Sequence, residues 1–240
     1  MEAVILAGGM GTRLGTLAKG YPKVMMPVAG KPFLEYLLRY LQEYAITEIV
    51  LCVGYCADAV EEYFEDGARF GLHIVYSHER ELRGTGGAIK LAEPLLHGDR
   101  FFVLNGDVFT HVDYRALAAY HQARAACATL TLLEMADARR YGSVEIDAQQ
   151  QITRFAEKDP SRRQGLINAG VYLFQREILA AIAPDTPVSV ERELFPALVG
   201  NGLLGYVSGG YFIDIGLPET YAQLNADPTP LYQYAHPGGG

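Results

Sequence analysis

Short apolar runs recur along the chain, and segments with a helical repeat of apolar and polar residues separate them. The apolar runs cover residues 3–6, 49–53, 73–77, 101–104 and 128–133. The helical segments cover residues 32–44, 58–64, 114–124, 190–198 and 218–224, with a further helix from residue 88. Because the runs are continuously apolar and alternate with helices, we predict an α/β fold with a mostly parallel, Rossmann-like sheet flanked by helices.

A less regular region follows the fifth apolar run. Residues 141–144, 152–155 and 167–174 are predicted to form a small antiparallel β insertion beside the main sheet. No linker-like run interrupts the chain, so residues 1–226 are predicted to form a single domain. Residues 227–240 are rich in Pro and aromatic residues and end in three glycines, which is typical of a flexible tail.

Charge and composition exclude several classes of protein. The 240 residues carry a formal net charge of −8, which argues against a nucleic-acid-binding protein. No apolar run reaches the ~18 residues needed to cross a membrane, and the N-terminus lacks the features of a signal peptide. Three widely spaced cysteines are typical of reduced thiols. We therefore expect a soluble, cytoplasmic protein with no membrane or nucleic-acid partner.

A Gly-rich segment follows the first predicted strand. Glycines at positions 8, 9 and 11 let the backbone approach a ligand and direct N–H groups at an anion. Arg13 adds a planar set of donors and Lys23 a compact positive charge. The spacing is neither a dinucleotide-binding motif, because Leu14 occupies its last position, nor a P-loop. Although a surface turn is the alternative, the whole segment indicates a cradle for a nucleoside triphosphate.

An acidic residue, Asp107, follows the apolar run at 101–104. A carboxylate at the end of a buried strand is costly unless it is paired or bound to a metal ion. Mg²⁺ prefers oxygen ligands, typically one or two carboxylates with phosphate oxygens. The alternative is a turn stabilised by the Asp side chain. Beside a phosphate cradle, Asp107 is the candidate Mg²⁺ ligand.

Two stretches together resemble a known family. LAGGMGTRL at 6–14 and PKVMMPVAGKPFLEYLL at 22–38 are similar to the signature of the sugar nucleotidyltransferases, and the similarity extends to about residue 226. These enzymes join a nucleoside triphosphate to a sugar 1-phosphate and release pyrophosphate. The resemblance implies a nucleotide-diphospho-sugar transferase fold of the GT-A-like type. Within the family, the sequence most resembles short guanylyltransferases that act on D-glycero-α-D-manno-heptose 1-phosphate.

The resemblance also implies which residues bind the nucleotide and the metal. The nucleotide contacts would be Leu6, Ala7, Gly8, Gly9, Gly11, Thr12, Arg13, Gly84, Thr85, Gly86 and Gly87. The segment at 84–87 would lie against the nucleobase, whereas the structural alternative is a loop with Thr85 as a helix N-cap. Arg13, Lys23 and Asp107 would be catalytic, and Asp107 and Asp214 would hold Mg²⁺.

The sugar phosphate would lie against the predicted β insertion. The residues implied are Asn105, Gly142, Glu157, Lys158 and Asn168. A carboxylate and an amide suit sugar hydroxyls, and a lysine neutralises phosphate. For Glu157 and Lys158, an exposed surface ion pair is the alternative.

The resulting hypothesis is Mg²⁺-dependent transfer of a nucleotidyl group, with GTP and the heptose 1-phosphate as expected substrates. A uridylyl- or thymidylyltransferase acting on a hexose 1-phosphate is the enzymatic alternative. A non-catalytic regulatory homologue that binds sugar nucleotides is the alternative from another class. A homodimer is compatible with the sequence, with Tyr232 and Tyr234 as candidate contacts to a partner subunit.

Overall fold

The computed structural model of the chain describes residues 1–9, 21–156 and 164–235. Its strands are β1 (Glu2–Leu6), β2 (Pro27–Val28), β3 (Lys31–Pro32), β4 (Glu48–Val53), β5 (His73–His78), β6 (Arg100–Asn105), β7 (Val108–Thr110), β8 (Ala128–Met135), β9 (Ser143–Ile146), β10 (Ile152–Ala156), β11 (Gly165–Gln175), β12 (Leu203–Ser208) and β13 (Phe212–Asp214). Its α-helices are α1 (Phe33–Glu43), α2 (Ala57–Phe64), α3 (Gly84–Ala92), α4 (Tyr114–Ala123), α5 (Phe195–Leu198), α6 (Pro218–Ala226) and α7 (Thr229–Ala235).

One large sheet organises the fold. Its strand order is β10-β9-β11-β6-β1-β4-β5, with β8 paired to β11 and β12 paired to β8. Strands β6, β1, β4 and β5 run parallel, which confirms the predicted α/β class with a central sheet flanked by helices. The antiparallel strands continue this same sheet, because β11 pairs directly with β6. The antiparallel part of the sheet therefore begins next to the strand that carries Asn105.

Both faces of the parallel strands are covered. Along β1, Val4 packs into the core on one face, whereas Ala3 and Ile5 pack into the core on the other, and all three are fully buried. This two-sided burial explains why β1 is continuously apolar rather than alternating. Within the described ranges, no helix combines the length and apolar character needed to cross a membrane.

Helix α3 begins four residues earlier than predicted, at Gly84. The first amides of a helix lack partners within the helix. Here the carbonyl oxygen of Val188 accepts hydrogen bonds from the N–H groups of Gly86 (2.8 Å) and Gly87 (3.3 Å). Gly84 has a φ of +68°, and a Cβ at this position would lie 2.6 Å from the same carbonyl oxygen. A distant segment therefore caps α3, which the local sequence does not reveal.

The C-terminal segment also differs from the prediction of a flexible tail. Residues 229–235 form α7, and its Leu231 and Ala235 are buried. The ring of Tyr234 lies 4.1 Å from that of His111, and Tyr232 lies 6.0 Å from Tyr36. These aromatic residues pack on their own chain because α7 lays them against α1 and the strand pair β7–β13.

A buried histidine on α4 should make stability depend on pH. His121 is fully buried, with Nδ1 2.8 Å from Thr129 Oγ1, while Nε2 has no hydrogen-bond partner within the described residues. Burial, with a smaller contribution from Arg100, lowers the pKa of His121 to about 4. The unfolded chain thus binds more protons than the folded chain between pH 4 and 6.5. This stabilisation is complete above the unfolded pKa and is lost as the pH falls toward 4.

We expect the free energy of unfolding to fall by up to about 3 kcal/mol across this range because of His121. Denaturant unfolding between pH 4 and 7 measures the effect. The variant His121→Gln cannot titrate, so its stability should change less over the same interval. Identical pH dependence in both proteins would contradict the assignment.

Candidate active site

The first candidate site lies at the carboxyl ends of the parallel strands, where ligands of open α/β sheets bind. A cavity of about 360 Å³ spans the ends of β1, β4, β5 and β6, and we call it the nucleotide cavity. It brings together most of the predicted nucleotide-binding and catalytic residues that the structure describes. Those that line it are Leu6, Gly8, Gly9, Lys23, Gly84, Thr85 and Asp107. Asn105, which was predicted to bind the sugar phosphate, lines it as well.

A second cavity of about 270 Å³ adjoins the first on the antiparallel side of the sheet, and we call it the sugar cavity. It contains the predicted sugar-phosphate and metal residues that are described, namely Asn105, Asp107, Gly142, Asn168 and Asp214. Asn105, Asp107 and Glu191 line both cavities. Two ligands bound in the two cavities would therefore meet at Asp107.

Several predicted site residues are not among those that line these two cavities. Ala7 is buried, and its N–H donates to the carbonyl of Cys52 at 2.9 Å. Gly86 and Gly87 direct their amides at Val188, so these N–H groups are not available to read a nucleobase. Five other predicted residues lie outside the described part of the chain: Gly11, Thr12, Arg13, Glu157 and Lys158.

Lys23 and Asp107 form an ion pair where the two cavities meet. Lys23 lies in a 3₁₀ turn, Lys23–Met25, directly after Pro22, and its ammonium donates to Oδ2 of Asp107. The two side chains are 12% and 28% exposed, so the pair is largely screened from water but remains accessible to a ligand. The pair thus places a positive charge and an acceptor at the point where a phosphate can enter.

The two predicted metal ligands lie at the ends of two paired strands, because Asp107 directly precedes β7. Asp214 ends β13, which pairs antiparallel with β7, and the N–H of Ile215 donates to the carbonyl of Asp107 at 3.0 Å. No cluster of three or more His, Cys, Asp or Glu side chains suited to a metal occurs in residues 1–9, 21–156 and 164–235. Two carboxylates completed by phosphate oxygens are a usual Mg²⁺ ligand set, so Asp107 and Asp214 fit the predicted ion.

Gly216 is packed against the side chains of Lys23 and Asp214. Its N–H donates to Oδ1 of Asp214 at 2.6 Å, and a Cβ at this position would lie 2.6 Å from that oxygen and in contact with the ammonium of Lys23. The Lys23 side chain is flexible and can move aside at little cost in stability. Its movement would, however, separate the ammonium from Asp107.

We therefore expect Gly216→Ala to lower kcat by about 10–100-fold with little change in melting temperature, since small displacements of catalytic groups are costly. Gly209→Ala is the matched control, because no atom lies within 4 Å of a Cβ there. Activity assays combined with thermal melts separate the two effects. Equal activity of the two variants would contradict the proposed importance of Lys23 placement.

Glu79 is a site residue that the sequence analysis missed. It follows β5, lines the nucleotide cavity, and its Oε1 accepts a hydrogen bond from the N–H of Arg83 at 2.8 Å. Burial raises the pKa of Glu79, and the hydrogen bond and charge of Arg83 oppose this rise. The other oxygen lies beside Gly8, because a Cβ on Gly8 would be 2.9 Å from Oε2. The available signal was an acid within a few residues of the end of an apolar strand, as for Asp107.

Glu191 is the second site residue that was not predicted, and it lines both cavities. The Thr85 hydroxyl donates to Oε2 of Glu191 at 2.8 Å and accepts a hydrogen bond from the N–H of Val190 at 2.8 Å. Ser189 Oγ lies 3.1 Å from the same carboxylate oxygen. Thr85 is thus not a helix N-cap: it lies within α3 and holds the 189–191 segment in place.

Several known proteins are similar to this chain in sequence and fold. Residues 2–229 match the family profile described as nucleotidyl transferase. The chain is 39% identical over 221 residues to D-glycero-α-D-manno-heptose 1-phosphate guanylyltransferase of Campylobacter jejuni, covering 92% of this chain and 97% of that protein. It is also 39% identical over 230 residues to mannose-1-phosphate guanylyltransferase of Mycobacterium tuberculosis. That match covers 95% of this chain but spans only 64% of the relative's length.

A solved structure matches over nearly the same extent. HddC from Yersinia pseudotuberculosis complexed with GMP-PN superposes with a TM-score of 0.84 at 33% identity. The match covers 95% of this chain and 99% of that chain.

Proposed function

Because the chain belongs to the nucleotidyl transferase family, we propose that it transfers a guanylyl group from GTP to a sugar 1-phosphate and releases pyrophosphate. The observation that carries this proposal is the meeting of the two cavities at Asp107 and its partner Lys23. A transfer reaction needs two substrates whose reacting groups touch, and holding them together supplies much of the rate enhancement.

The strand order indicates which end of the nucleotide cavity would hold the phosphates and which would hold the base. Glu79 follows β5 and Asp107 follows β6, and these strands are three positions apart in the order β6-β1-β4-β5. Neighbouring strands lie ≈ 4.7–4.9 Å apart, so the ends of β5 and β6 are separated by about 14 Å. This separation is comparable with the length of an extended nucleotide. The phosphates belong at Lys23 and Asp107, and the base belongs at Glu79 beside Leu82 and Ala88.

An ionised carboxylate at the base end favours guanine. It can only accept hydrogen bonds. Guanine presents two adjacent donors, N1–H and the 2-amino group, on one edge, whereas uracil and thymine present a single N–H between two carbonyl oxygens. Glu79 therefore supports GTP over the uridylyl- or thymidylyltransferase alternative. The guanylyltransferase names of the relatives and the GMP-PN complex of the structural neighbour support the same base.

For the sugar, we propose D-glycero-α-D-manno-heptose 1-phosphate, with mannose 1-phosphate as the second candidate. The relative named for the heptose phosphate is matched over 97% of its length, whereas the mannose-1-phosphate guanylyltransferase of M. tuberculosis extends well beyond the matched part. Asn168 lines the sugar cavity with an amide that donates to Tyr172 at 2.8 Å and accepts from Gly170 at 3.1 Å. These bonds fix the orientation of the amide, and its spare hydrogen-bonding capacity suits sugar hydroxyls.

The proposed reaction is a direct displacement at phosphorus. An oxygen of the sugar 1-phosphate attacks the α-phosphorus of GTP, and the bond to the oxygen bridging the α- and β-phosphates breaks. Lys23 donates to oxygens of the transferring phosphoryl group, and Asp107 and Asp214 would hold Mg²⁺. When bound, Mg²⁺ would withdraw charge from the phosphate oxygens. Arg13, whose role is predicted from the sequence, would stabilise the leaving pyrophosphate.

Pyrophosphate release tests this proposal. GTP, UTP, CTP, dTTP and ATP are each offered with the heptose 1-phosphate, mannose 1-phosphate and glucose 1-phosphate, with Mg²⁺ and with EDTA in its place. We expect release only with Mg²⁺, fastest with GTP and the heptose phosphate. Release with UTP or dTTP and glucose 1-phosphate would overturn the base and sugar assignments. Tight binding of a sugar nucleotide without turnover of any pair would favour the regulatory homologue.

A further inference from the structure

The sugar cavity is rich in negative charge. Asp107, Asp214 and Glu191 contribute three carboxylates to its lining. Arg140 is the only positively charged side chain among the described residues that line it. A sugar 1-phosphate entering this cavity brings further negative charge, which a cation in the described wall would offset in addition to the predicted Lys158.

Among the described residues, the one ion pair of Arg140 is a long contact with Glu219, and its charge also acts on Asp137. Its Nη1 lies 3.5 Å from Oε2 of Glu219 in the first turn of α6, and the two side chains are 59% and 66% exposed. Exposed ion pairs of this kind contribute little to stability. The neighbouring Arg139 instead makes a close bidentate contact with Asp137, with nitrogen–oxygen distances of 2.8 and 2.6 Å. The two arginines therefore differ in surroundings although they are adjacent in sequence.

The surroundings of Tyr141 show that Arg140 lies on the Asp214 side of the cavity. Tyr141 packs edge-on against Phe212, two residues before Asp214. Burial raises the pKa of Tyr141, the charge of Asp214 raises it further, and Arg140 opposes this effect. Arg140, Phe212 and Asp214 all line the sugar cavity. Asp107, where the two cavities meet, lines the same cavity.

We propose that the guanidinium of Arg140 binds the phosphate of the sugar 1-phosphate and exchanges its contact with Glu219 for the substrate. This inference rests on the proposed function. A guanidinium matches phosphate geometry with two parallel hydrogen bonds, which are stronger than one exposed contact to a carboxylate. Because Arg has donors and no acceptors, the phosphate suits it better than sugar hydroxyls do.

Steady-state kinetics of Arg140→Ala and Arg139→Ala test the proposal, with GTP and sugar 1-phosphate varied separately. We expect Arg140→Ala to raise KM for the sugar 1-phosphate by about 10–100-fold, the effect of losing hydrogen bonds to a charged group. KM for GTP should stay unchanged, and Arg139→Ala should behave as wild type. Equal values of KM for the sugar 1-phosphate in the two variants would overturn the proposal.

Two further variants distinguish phosphate binding by Arg140 from a purely structural role of this residue. Arg140→Lys keeps the charge and should recover part of the affinity, and Glu219→Gln should lower KM for the sugar 1-phosphate by removing the competing carboxylate. Melting temperatures should be the same throughout. Failure of Arg140→Lys to improve on Arg140→Ala, together with an unchanged KM in Glu219→Gln, would contradict phosphate binding. A wild-type protein inactive with every sugar phosphate would instead refute the proposed function itself.

Discussion

Asp107→Asn should lower kcat for pyrophosphate release by about 10²–10³-fold, the usual cost of removing a preorganised charged group from an active site. Asparagine keeps the shape of the side chain but removes the carboxylate that contacts Lys23 and is proposed to bind Mg²⁺. Both effects act where the nucleotide cavity and the sugar cavity meet. Raising the Mg²⁺ concentration should not restore the wild-type rate, because a neutral amide is a much poorer ligand.

Asp58→Asn is the control, since Asp58 is exposed on α2 and lines neither cavity. Its rate should match that of the wild type. Full activity of Asp107→Asn at low Mg²⁺ would contradict the proposed roles of this residue in metal binding and in placing Lys23.

Glu79→Gln should change which nucleotide is used. The amide presents donors to the two donors of guanine, so kcat/KM for GTP should fall by about 10–100-fold, the range for losing one bidentate base contact. An amide can both donate to a carbonyl oxygen and accept from the N–H of uracil or thymine. The ratio of kcat/KM for UTP or dTTP to that for GTP should therefore rise. Because burial raises the pKa of Glu79, wild-type affinity for GTP should weaken as the pH falls and the carboxyl is protonated.

Glu81→Gln provides the matched control, because Glu81 is exposed two residues away and does not line the cavity. Nucleotide competition assays on both variants give the comparison. The same nucleotide preference in Glu79→Gln as in Glu81→Gln would show that this carboxylate does not read the base.

The parallel half of the fold could be predicted from sequence because its strands β1, β4 and β6 are buried along nearly their whole length and appear as continuous apolar runs. Asp107 could be found for the same reason, since an acid within a few residues of the end of such a run stands out. Glu79 was missed because His78, Arg80 and Glu81 surround it and resemble an exposed polar loop. Only the tertiary structure turns this carboxylate toward Gly8.

Contacts between distant segments limited the rest of the prediction. Lys23 and Asp107 are 84 residues apart, and the hydroxyl of Thr85 meets Glu191 across 106 residues. Local patterns carry no information on such pairs. The order of the antiparallel strands likewise depends on the pairing of β11 with β6. Helix α7 was predicted as a flexible tail because its composition is rich in Pro and aromatic residues. Its few buried apolar residues, Leu231 and Ala235, are too few to form a recognisable helical pattern in the sequence.

The most direct test of the central claim follows the α-phosphate of GTP. The wild-type protein is incubated with Mg²⁺, the heptose 1-phosphate and GTP labelled at the α-phosphorus, and the products are separated and identified by mass. We predict that the label appears in a guanosine diphosphate sugar while the released pyrophosphate is unlabelled. Label recovered only in unreacted GTP, while UTP or dTTP gives the corresponding nucleotide sugar, would contradict the account.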